Sequence, residues 1–275
     1  MNTATFKEDT HQYFYMGKEF ISVTTLIKEY AGKFDSKHWS TYKAVKDVME
    51  YYNEWTIYKK QAGGWENVVN FWSSNPTRLD EILDRKKYYL DLWEEEGRVA
   101  RVKGTLAHNE KEQEIKGHIT SRTASAGEFV EVPLGINEAA IMEGDFDSQG
   151  VFAELLVWNE AYGVAGQVDK VIKRKKHIDL EDYKTNKKLA TVGFRGAMMK
   201  YPLNSLPDCN ISHYQIQLSL YAWMLQKRGY HIGKLIIRHI PDSRTDIPIE
   251  VEYRPDLVEL MLNHYAKRRK IFQRT

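Results

Sequence analysis

The chain is poor in cysteine: among its 275 residues, Cys209 is the only one. A lone cysteine excludes an internal disulfide framework and is typical of a reducing compartment, so we expect a cytoplasmic protein. The sequence also lacks an apolar run long enough to cross a membrane. Its first residues, MNTATFKEDTHQYFYMGKEF, contain no apolar leader that would direct secretion.

A large excess of either charge is missing as well. The chain carries 40 Lys and Arg against 38 Asp and Glu, a formal net charge of +2. It is therefore no polycation, and binding to an anionic polymer would require local clusters of basic residues. There is no internal repeat, no low-complexity segment and no Gly-, Ser- or Pro-rich linker that proves a second domain. We therefore interpret residues 1–275 as one domain with enough length for a sizeable core.

The first third of the chain is rich in aromatic residues and predicts mainly helices. A hairpin is expected to turn at Met16-Gly17, with a helix starting near Ser22 to Thr25. Further helices are predicted over 42–60, 65–93 and 94–116. Gly63-Gly64 separates the first two, and Pro76 is expected to break the second. The segment SRTASAGEFVEVPLGINEAA that follows looks irregular.

The pattern changes to strands at about Val151. The sequence predicts a three-stranded meander over 151–158, 163–173 and 177–185, then an amphipathic helix over 211–228, strands over 234–240 and 247–253, and a terminal helix over 255–272. This order predicts an α/β or α+β fold, with a central mixed sheet flanked by helices and helical decoration at the N-terminal end.

The stretch AGQVDKVIKRKKHIDLEDYKTNKK concentrates acids and a lysine on two neighbouring strands. A hairpin turning near 174–176 brings Asp169 close to Asp182, and Lys184 shares a strand face with Asp182. Glu154, on the preceding strand, can join them. Carboxylates that converge in a partly apolar sheet repel one another unless cations lie among them, so they suggest a site for one or two Mg²⁺ or Mn²⁺ ions. The alternative is an ordinary cross-strand ion pair, because D-x-K is very common.

These residues resemble the PD-(D/E)xK nuclease superfamily, and most closely its RecB-type branch of phage exonucleases and mitochondrial genome maintenance exonuclease. GQVDKV and DYKT correspond to the core motif, in which Val168 stands where the family name has proline. GTLAHNEKE resembles the upstream helix with its histidine, FAELLVW carries the upstream glutamate, YQIQLSLYAWML resembles the downstream Q-x-x-x-Y helix, and ISVTTLI resembles an early Ser-Val-Thr segment. The resemblance implies a restriction-endonuclease-like core over 101–275.

The resemblance also implies a role for each matching residue. Asp169 and Asp182 would be the central metal ligands, with His108 a further ligand through a neutral ring nitrogen. Glu154 would ligate a metal or hold a metal-bound water, and the Tyr183 carbonyl would complete the shell. The catalytic residues would be Asp169, Asp182, Lys184 and Glu154. Lys184 would orient the attacking water or stabilise the transition state.

Each assignment has a plainer alternative. His108 could pair with Glu112 on a helix surface, and Glu154 could be a lone acid on an exposed strand face. Gln217 and Tyr221, which share a helix face and would position the DNA backbone or Lys184, could be simple packing residues. Ser22 and Thr24 could contact phosphate or only cap a helix.

The substrate contacts are predicted from clusters of basic and aromatic residues. Arg98 and Arg101, which precede His108 on one helix, are the expected phosphate-binding residues. Residues 1–100 could form an arch over single-stranded DNA, with rings stacking on bases. The alternative, which we favour for most of the tryptophans, is that they form the core of a helical cap.

The residues and this resemblance together imply a Mg²⁺-dependent DNA exonuclease of phage or bacterial recombination and repair. The expected partners are DNA, single-stranded or with duplex ends, and a single-strand annealing or recombination protein. The expected location is the cytoplasm of a bacterial or phage-infected cell, and one cysteine excludes an iron–sulfur cluster. Two alternatives remain open: a structure-specific or restriction-like endonuclease, and a DNA-binding recombination factor without catalysis. Retention of Asp169, Asp182 and Lys184 argues against the latter.

Overall fold

A mixed β-sheet of eight strands organises the chain. A computed structural model describes residues 4–7, 9–121, 141–142, 149–242 and 245–270, with side chains of the helix ending at Ser121 described as far as Ile115. The strands are β1 (Thr5–Lys7), β2 (Gln12–Tyr15), β3 (Lys18–Ser22), β4 (Gly150–Asn159), β5 (Val164–Arg174), β6 (His177–Lys184), β7 (His231–His239) and β8 (Ile247–Val251).

Seven α-helices accompany these strands in the described part of the chain. They are α1 (Val23–Tyr30), α2 (Ser36–Tyr51), α3 (Trp55–Gln61), α4 (Val68–Ser74), α5 (Leu79–Ser121), α6 (Asn210–Gln226) and α7 (Pro255–Arg269). Short 3₁₀ turns lie at Trp65–Asn67 and Phe194–Gly196. The predicted fold class, a mixed sheet with flanking helices, is confirmed. Among the described residues, none of the helices combines the length and apolar character needed to span a membrane.

Strand β5 is the centre of the sheet. The strand order is β1-β2-β3-β5-β6-β7-β8, and β4 pairs with β5 along nearly its whole length, from Gly150 opposite Lys173 to Asn159 opposite Val164. The other edge of β5 is shared. Its start pairs in parallel with β3, and its end pairs antiparallel with β6 from Lys170 onward. Residues 166–169 therefore lie on β5 between these two partners.

The predicted meander of β4, β5 and β6 is confirmed, and so is the hairpin of β2 and β3 around Met16-Gly17. Helix α1 begins where expected, with Ser22 as its N-cap: the Ser22 hydroxyl accepts from the Thr25 backbone N–H at 3.1 Å. The short β1 was not predicted from the sequence. It continues the β2–β3 hairpin at the edge of the sheet.

The helix boundaries of the first third differ from the predicted ones. Helix α2 begins at Ser36 rather than near 42, because Asp35 caps it by accepting from the His38 backbone N–H at 2.9 Å. It ends at Tyr51, before Asn53 adopts a φ of +60°. The break at Pro76 is confirmed. The predicted boundary between 93 and 94 was wrong, since α5 is continuous there.

Helix α6 is more buried than its sequence pattern indicated. Every residue from Ile216 to Leu225 is buried, so the helix is enclosed on all sides rather than amphipathic. It packs with α1 and α7 in the core of the sheet, whose buried members include Leu155, Val168 and Leu180. The predicted irregular segment falls, after Ser121, outside the described residues.

The chain divides into two compact units. One contains residues 1–32 and 104–275, with the whole sheet, and the other contains residues 33–103. The second unit has a core of its own, formed by Ala44, Val45, Val48, Met49, Tyr58, Ala62, Val68, Trp72 and Ile82. Five of the seven tryptophans lie before residue 100, namely Trp39, Trp55, Trp65, Trp72 and Trp93. Trp72 is in this core, whereas Trp39 and Trp65 are half-buried and stack on each other with ring centroids 6.2 Å apart.

Candidate metal centre

The pairing of β5 with β6 ends next to two acids, Asp169 and Asp182. Pairing between these strands ends at Lys170 opposite Glu181, and β6 then continues along β7, with Asp182 opposite Ile237. Asp169 lies just beyond the last β5–β6 pair. Its Oδ2 accepts from the Tyr183 backbone N–H at 2.6 Å. This bond fixes the Asp169 carboxylate at the point where the strands part.

Three side chains from three elements form a cluster with metal-ligand chemistry. The Nδ1 atom of His108, on α5, lies 3.5 Å from Asp169 Oδ1 on β5 and 4.0 Å from Glu154 Oε1 on β4. One ligand atom of each residue lies within 4.8 Å of those of the other two. Carboxylate oxygens suit Mg²⁺ and Mn²⁺, and an imidazole nitrogen suits divalent transition-metal ions. The arrangement can therefore hold a metal ion.

Glu154 enters this cluster from an unusual backbone conformation. Its φ is +53°, in the left-handed region, although it lies inside β4. The pairs on either side, Ala153 with Lys170 and Leu155 with Val168, keep one register. Glu154 is therefore opposite Asp169 in the ladder, and no extra residue is inserted there. A non-glycine residue in this region is strained by about 1–2 kcal/mol. Such strain concentrates at functional sites.

Burial and mutual repulsion shift the titration of the cluster. Burial raises the pKa of Glu154 to about 7, and the negative charge of Asp169 adds to the effect. Burial lowers the pKa of His108, but its interaction with Asp169 outweighs this and raises the pKa to about 9. At neutral pH the metal-free cluster thus holds a protonated His108 beside Asp169. The positive charge of the protonated His108 ring offsets the negative charge of Asp169, as a bound metal ion would.

Asp182 and Lys184 form a buried pair next to this cluster. Lys184 Nζ lies 2.5 Å from Asp182 Oδ2, and their side chains are 15% and 1% exposed. Burial raises the pKa of Asp182, and the charge of Lys184 opposes that rise. Burial lowers the pKa of Lys184, but the charge of Asp182 outweighs it, so the net shift is upward and the ammonium is retained. Lys184 therefore keeps its charge beside Asp182, whereas burial outweighs the charge of Lys184 and the net shift of the Asp182 pKa is upward, to about 6.

Helix α6 supplies the support for Asp182. Gln217 Nε2 donates to Asp182 Oδ1 at 2.8 Å and lies 3.4 Å from the Tyr221 hydroxyl. Gln217 therefore contacts the Asp182 carboxylate directly. Metal ligation by Asp182 stays a prediction. Gly166 is the reason the helix fits: a Cβ added there would lie 2.7 Å from Tyr221 Cε1. The absent side chain admits the Tyr221 ring against β5.

Three residues around Lys184 were not singled out from the sequence. Its Nζ lies 4.7 Å from the centre of the Tyr214 ring, a cation–π distance. The Tyr214 hydroxyl donates to Asn186 Oδ1 at 2.7 Å, and His239 Nε2 donates to the Asn186 carbonyl oxygen at 2.7 Å. Tyr214 precedes Gln217 by one helical turn, a spacing that could have revealed it.

The predicted phosphate contacts are less defined by the structure. Arg98 pairs with Glu95 on α5, its Nη2 lying 2.6 Å from Glu95 Oε1, and it belongs with Arg101 to the unit of residues 33–103. Ser22 is confirmed as a helix cap, and its hydroxyl lies 3.2 Å from that of Thr24. For these four residues, phosphate binding stays a prediction.

Comparisons with known proteins add little to this geometry. No protein-family model matches the chain, and no curated protein matches its sequence. A crystal structure of a protein named "Putative exonuclease", from Eubacterium rectale, is similar, with 14% identity and a TM-score of 0.30, over 92% of this chain and 80% of that one. A TM-score this low does not establish a shared fold. The function is therefore argued from the residues of the site.

Proposed function

We propose that this protein is a Mg²⁺- or Mn²⁺-dependent nuclease of the PD-(D/E)xK superfamily, RecB-type branch, which hydrolyses phosphodiester bonds in DNA. The observation that carries the proposal is the cluster of His108, Glu154 and Asp169, with ligand atoms within 4.8 Å of one another, beside the buried pair of Asp182 and Lys184. A metal site can activate water and offset phosphate charge, and an ammonium held beside it adds positive charge for the transition state of phosphodiester hydrolysis.

The cluster fits the metal that the resemblance implies. Its nitrogen and carboxylate donors converge from three different elements, and the two acids would repel each other without a cation. His108, Glu154 and Asp169 would hold the ion, with Asp182 and the Tyr183 carbonyl as further expected ligands. When bound, a divalent cation supplies Lewis-acid charge that offsets the phosphate charge and makes water a stronger nucleophile.

The remaining residues prepare the site for that chemistry. Lys184 presents an ammonium that can orient the attacking water or stabilise the charge of the transition state. The Tyr214 ring limits where that ammonium can lie, because the centre of the ring is 4.7 Å from Lys184 Nζ. Gln217 holds the Asp182 carboxylate through its 2.8 Å hydrogen bond, so Lys184 has a fixed partner. Catalytic groups that are already in position before the substrate binds lower the activation barrier of the reaction.

We infer exonuclease rather than endonuclease activity from the sequence resemblance, because the matching segments, including ISVTTLI, are those of phage and mitochondrial exonucleases. The substrate is then DNA, as a single strand or a duplex end. Roles in recombination, repair or phage DNA metabolism, and a single-strand annealing protein as partner, belong to the same proposal.

Digestion of end-labelled linear DNA beside closed circular DNA tests this function. Single- and double-stranded forms are incubated with Mg²⁺, with Mn²⁺ and with EDTA. We expect progressive shortening of linear DNA, sparing of circles, and no reaction in EDTA. Lys184→Ala is expected to lower the rate by at least about 100-fold, the usual effect of removing one preorganised charge. Lys234→Ala, an exposed lysine of β7 that pairs with Glu250, is the matched control and should cleave normally.

The outcomes separate the alternatives. Cut circles would replace the exonuclease by an endonuclease with the same site. Cleavage that persists in Lys184→Ala would mean that the assigned site is wrong. DNA binding without cleavage under either metal would leave a non-catalytic recombination factor.

A further inference from the structure

The connection between β6 and α6 is a loop of unusual composition, which we name the basic loop, residues 187–207. It starts three residues after Lys184 and ends three residues before α6, the helix that carries Tyr214 and Gln217. Its sequence is KKLATVGFRGAMMKYPLNSLP, with four basic residues and no acidic one. In a chain of nearly balanced charge, this is a local positive segment.

The backbone of the basic loop is held by the rest of its unit. Met199 and Leu203 are buried, the Met199 N–H donates to the Leu206 carbonyl at 3.0 Å, and the Lys200 N–H donates to the Tyr30 carbonyl at 2.7 Å. A Cβ added to Gly193 would overlap the Ala197 carbonyl, so the sharp turn there requires glycine. The loop is therefore a fixed element although it has almost no regular secondary structure.

Large apolar side chains of the basic loop are nevertheless exposed. Val192 is 71% exposed, Phe194 65%, Met198 48% and Tyr201 69%. The turn of Gly193 to Gly196 lifts Phe194 outward, and its backbone closes with a 3.0 Å hydrogen bond between these two glycines. Exposed apolar groups gathered in one short segment mark a binding surface rather than a core.

We infer that the basic loop binds a single DNA strand at the candidate site, with Phe194 and Tyr201 stacking on bases. This inference rests on the proposed function and names the form of its substrate. Aromatic rings between basic residues are the combination that binds single strands, because rings stack on any base and cations meet the phosphates. The basic side chains are Lys187, Lys188, Arg195 and Lys200, all exposed.

A single strand suits this surface better than a second copy of the chain. In a two-fold dimer formed through this loop, the same patch would face itself, and four basic residues would meet four others with no acid among them. A duplex offers only its terminal base pair for stacking, since its other bases are already stacked on one another. Only an unpaired strand offers phosphates to the basic side chains and unstacked bases to the aromatic rings.

Fluorescence anisotropy with a labelled oligo-dT strand in EDTA tests the inference without cleavage. Phe194→Ala and Tyr201→Ala are each expected to raise the Kd by about ten-fold, the loss of one stacked base. Tyr201→Phe keeps the ring and should bind as the unchanged protein does. Leu260→Ala removes an apolar side chain of α7 that is 51% exposed, and is the control expected to have no effect. Binding of a blunt duplex should change less than binding of the single strand.

The results distinguish this inference from the function on which it rests. If both alanine variants bind oligo-dT normally while metal-dependent cleavage is seen, the loop inference fails and the nuclease stands. If they lose binding but no metal supports cleavage in the unchanged protein, the nuclease fails and the strand-binding loop stands. If Phe194→Ala instead converts an oligomer to a monomer in sedimentation, with the Kd unchanged, the surface is a contact between copies.

Discussion

Glu154 offers a carboxylate that could ligate a metal, but its backbone has a conformation that is unfavourable for a residue with a side chain. Its φ of +53° lies in the region that glycine adopts without cost, yet the sequence retains a charged side chain there. The carboxylate is also half-protonated near neutral pH, since its pKa is raised to about 7. Both features cost stability in the metal-free protein, which is consistent with a residue retained for binding.

The first prediction separates the strain from the charge. Glu154→Ala and Glu154→Gly both remove the carboxylate, but only glycine also relieves the backbone. We expect Glu154→Gly to exceed Glu154→Ala in free energy of unfolding by about 0.5–1 kcal/mol, after allowing for the greater freedom of glycine in the unfolded chain. Urea denaturation without metal measures the difference. A glycine variant less stable than the alanine variant would contradict the strained conformation.

The second prediction concerns protons that a metal must displace. The pKa of His108 is raised to about 9 and that of Glu154 to about 7, so below pH 7 both bind a proton in the metal-free protein. Ligands must lose these protons. Calorimetry of Mn²⁺ binding in buffers of different ionisation enthalpy should show release of about two protons at pH 6 and about one at pH 8. Affinity for Mn²⁺ therefore rises with pH across this window and falls as the ligands are protonated.

His108→Gln provides the control for this titration. It removes the group that titrates near 9, so proton release should fall by about one at both pH values. Release that is the same in the variant would mean that His108 is not a ligand, and release that does not change between pH 6 and pH 8 would mean that Glu154 is not.

Among the elements, β5 and α6 determine the shape of the site through one close contact. The Tyr221 ring occupies the space that a side chain at Gly166 would need, and Gln217, one turn before it, holds Asp182. The sequence motif Q-x-x-x-Y indicated that these two residues share a face. It did not indicate that the tyrosine packs on a glycine of the same strand that carries Asp169.

The third prediction tests this contact. Gly166→Ala is expected to lower the free energy of unfolding by about 1–3 kcal/mol, because the packed ring must move. In a Tyr221→Ala background the same change should cost much less, which a double-mutant cycle measures. Gly104→Ala is the matched control, since a Cβ there meets nothing closer than Thr185 Oγ1 at 3.8 Å. It lies inside α5, where alanine should stabilise the helix by up to about 1 kcal/mol. Equal costs with and without Tyr221 would contradict the packing.

At the scale of the whole molecule, the two units have separate cores. The core of residues 33–103 draws its members from α2, α3, α4 and α5, whereas the sheet packs against α1, α6 and α7. Destabilising one core is therefore expected to act first on its own unit.

The fourth prediction follows from these separate cores. Trp72→Ala should destabilise the unit of residues 33–103 by about 3–5 kcal/mol, as loss of a buried tryptophan does. Hydrogen exchange should then show loss of protection in α2 and α4 and retention in β5 and β6. Leu180→Ala, in the core of the sheet, should produce the opposite pattern. Equal loss of protection in both units after either substitution would show that they unfold together.

The sequence by itself determined the features that depend on neighbours along the chain. Period-two alternation and turn residues predicted the β4–β5–β6 meander, and with it the approach of Asp169 to Asp182 and Lys184. Ser22 predicted the start of α1 in the same way. Such features follow from local geometry, because a hairpin fixes which residues face each other. Strand order also brought Glu154 to the candidate site, and the match of several short motifs added His108 and Gln217.

Only the tertiary structure decided the contacts between distant segments. It places the His108 ring against Asp169, gives β3 and β6 the same edge of β5, and puts the Tyr214 ring beside Lys184. It also fixes the basic loop, whose backbone bonds reach Tyr30. No local pattern encodes these contacts, because each depends on how elements far apart in the chain pack and on which small residue leaves room between them. The observed helix ends differ from the predicted ones for the same reason, because capping and packing outweigh the intrinsic helix propensity of the residues.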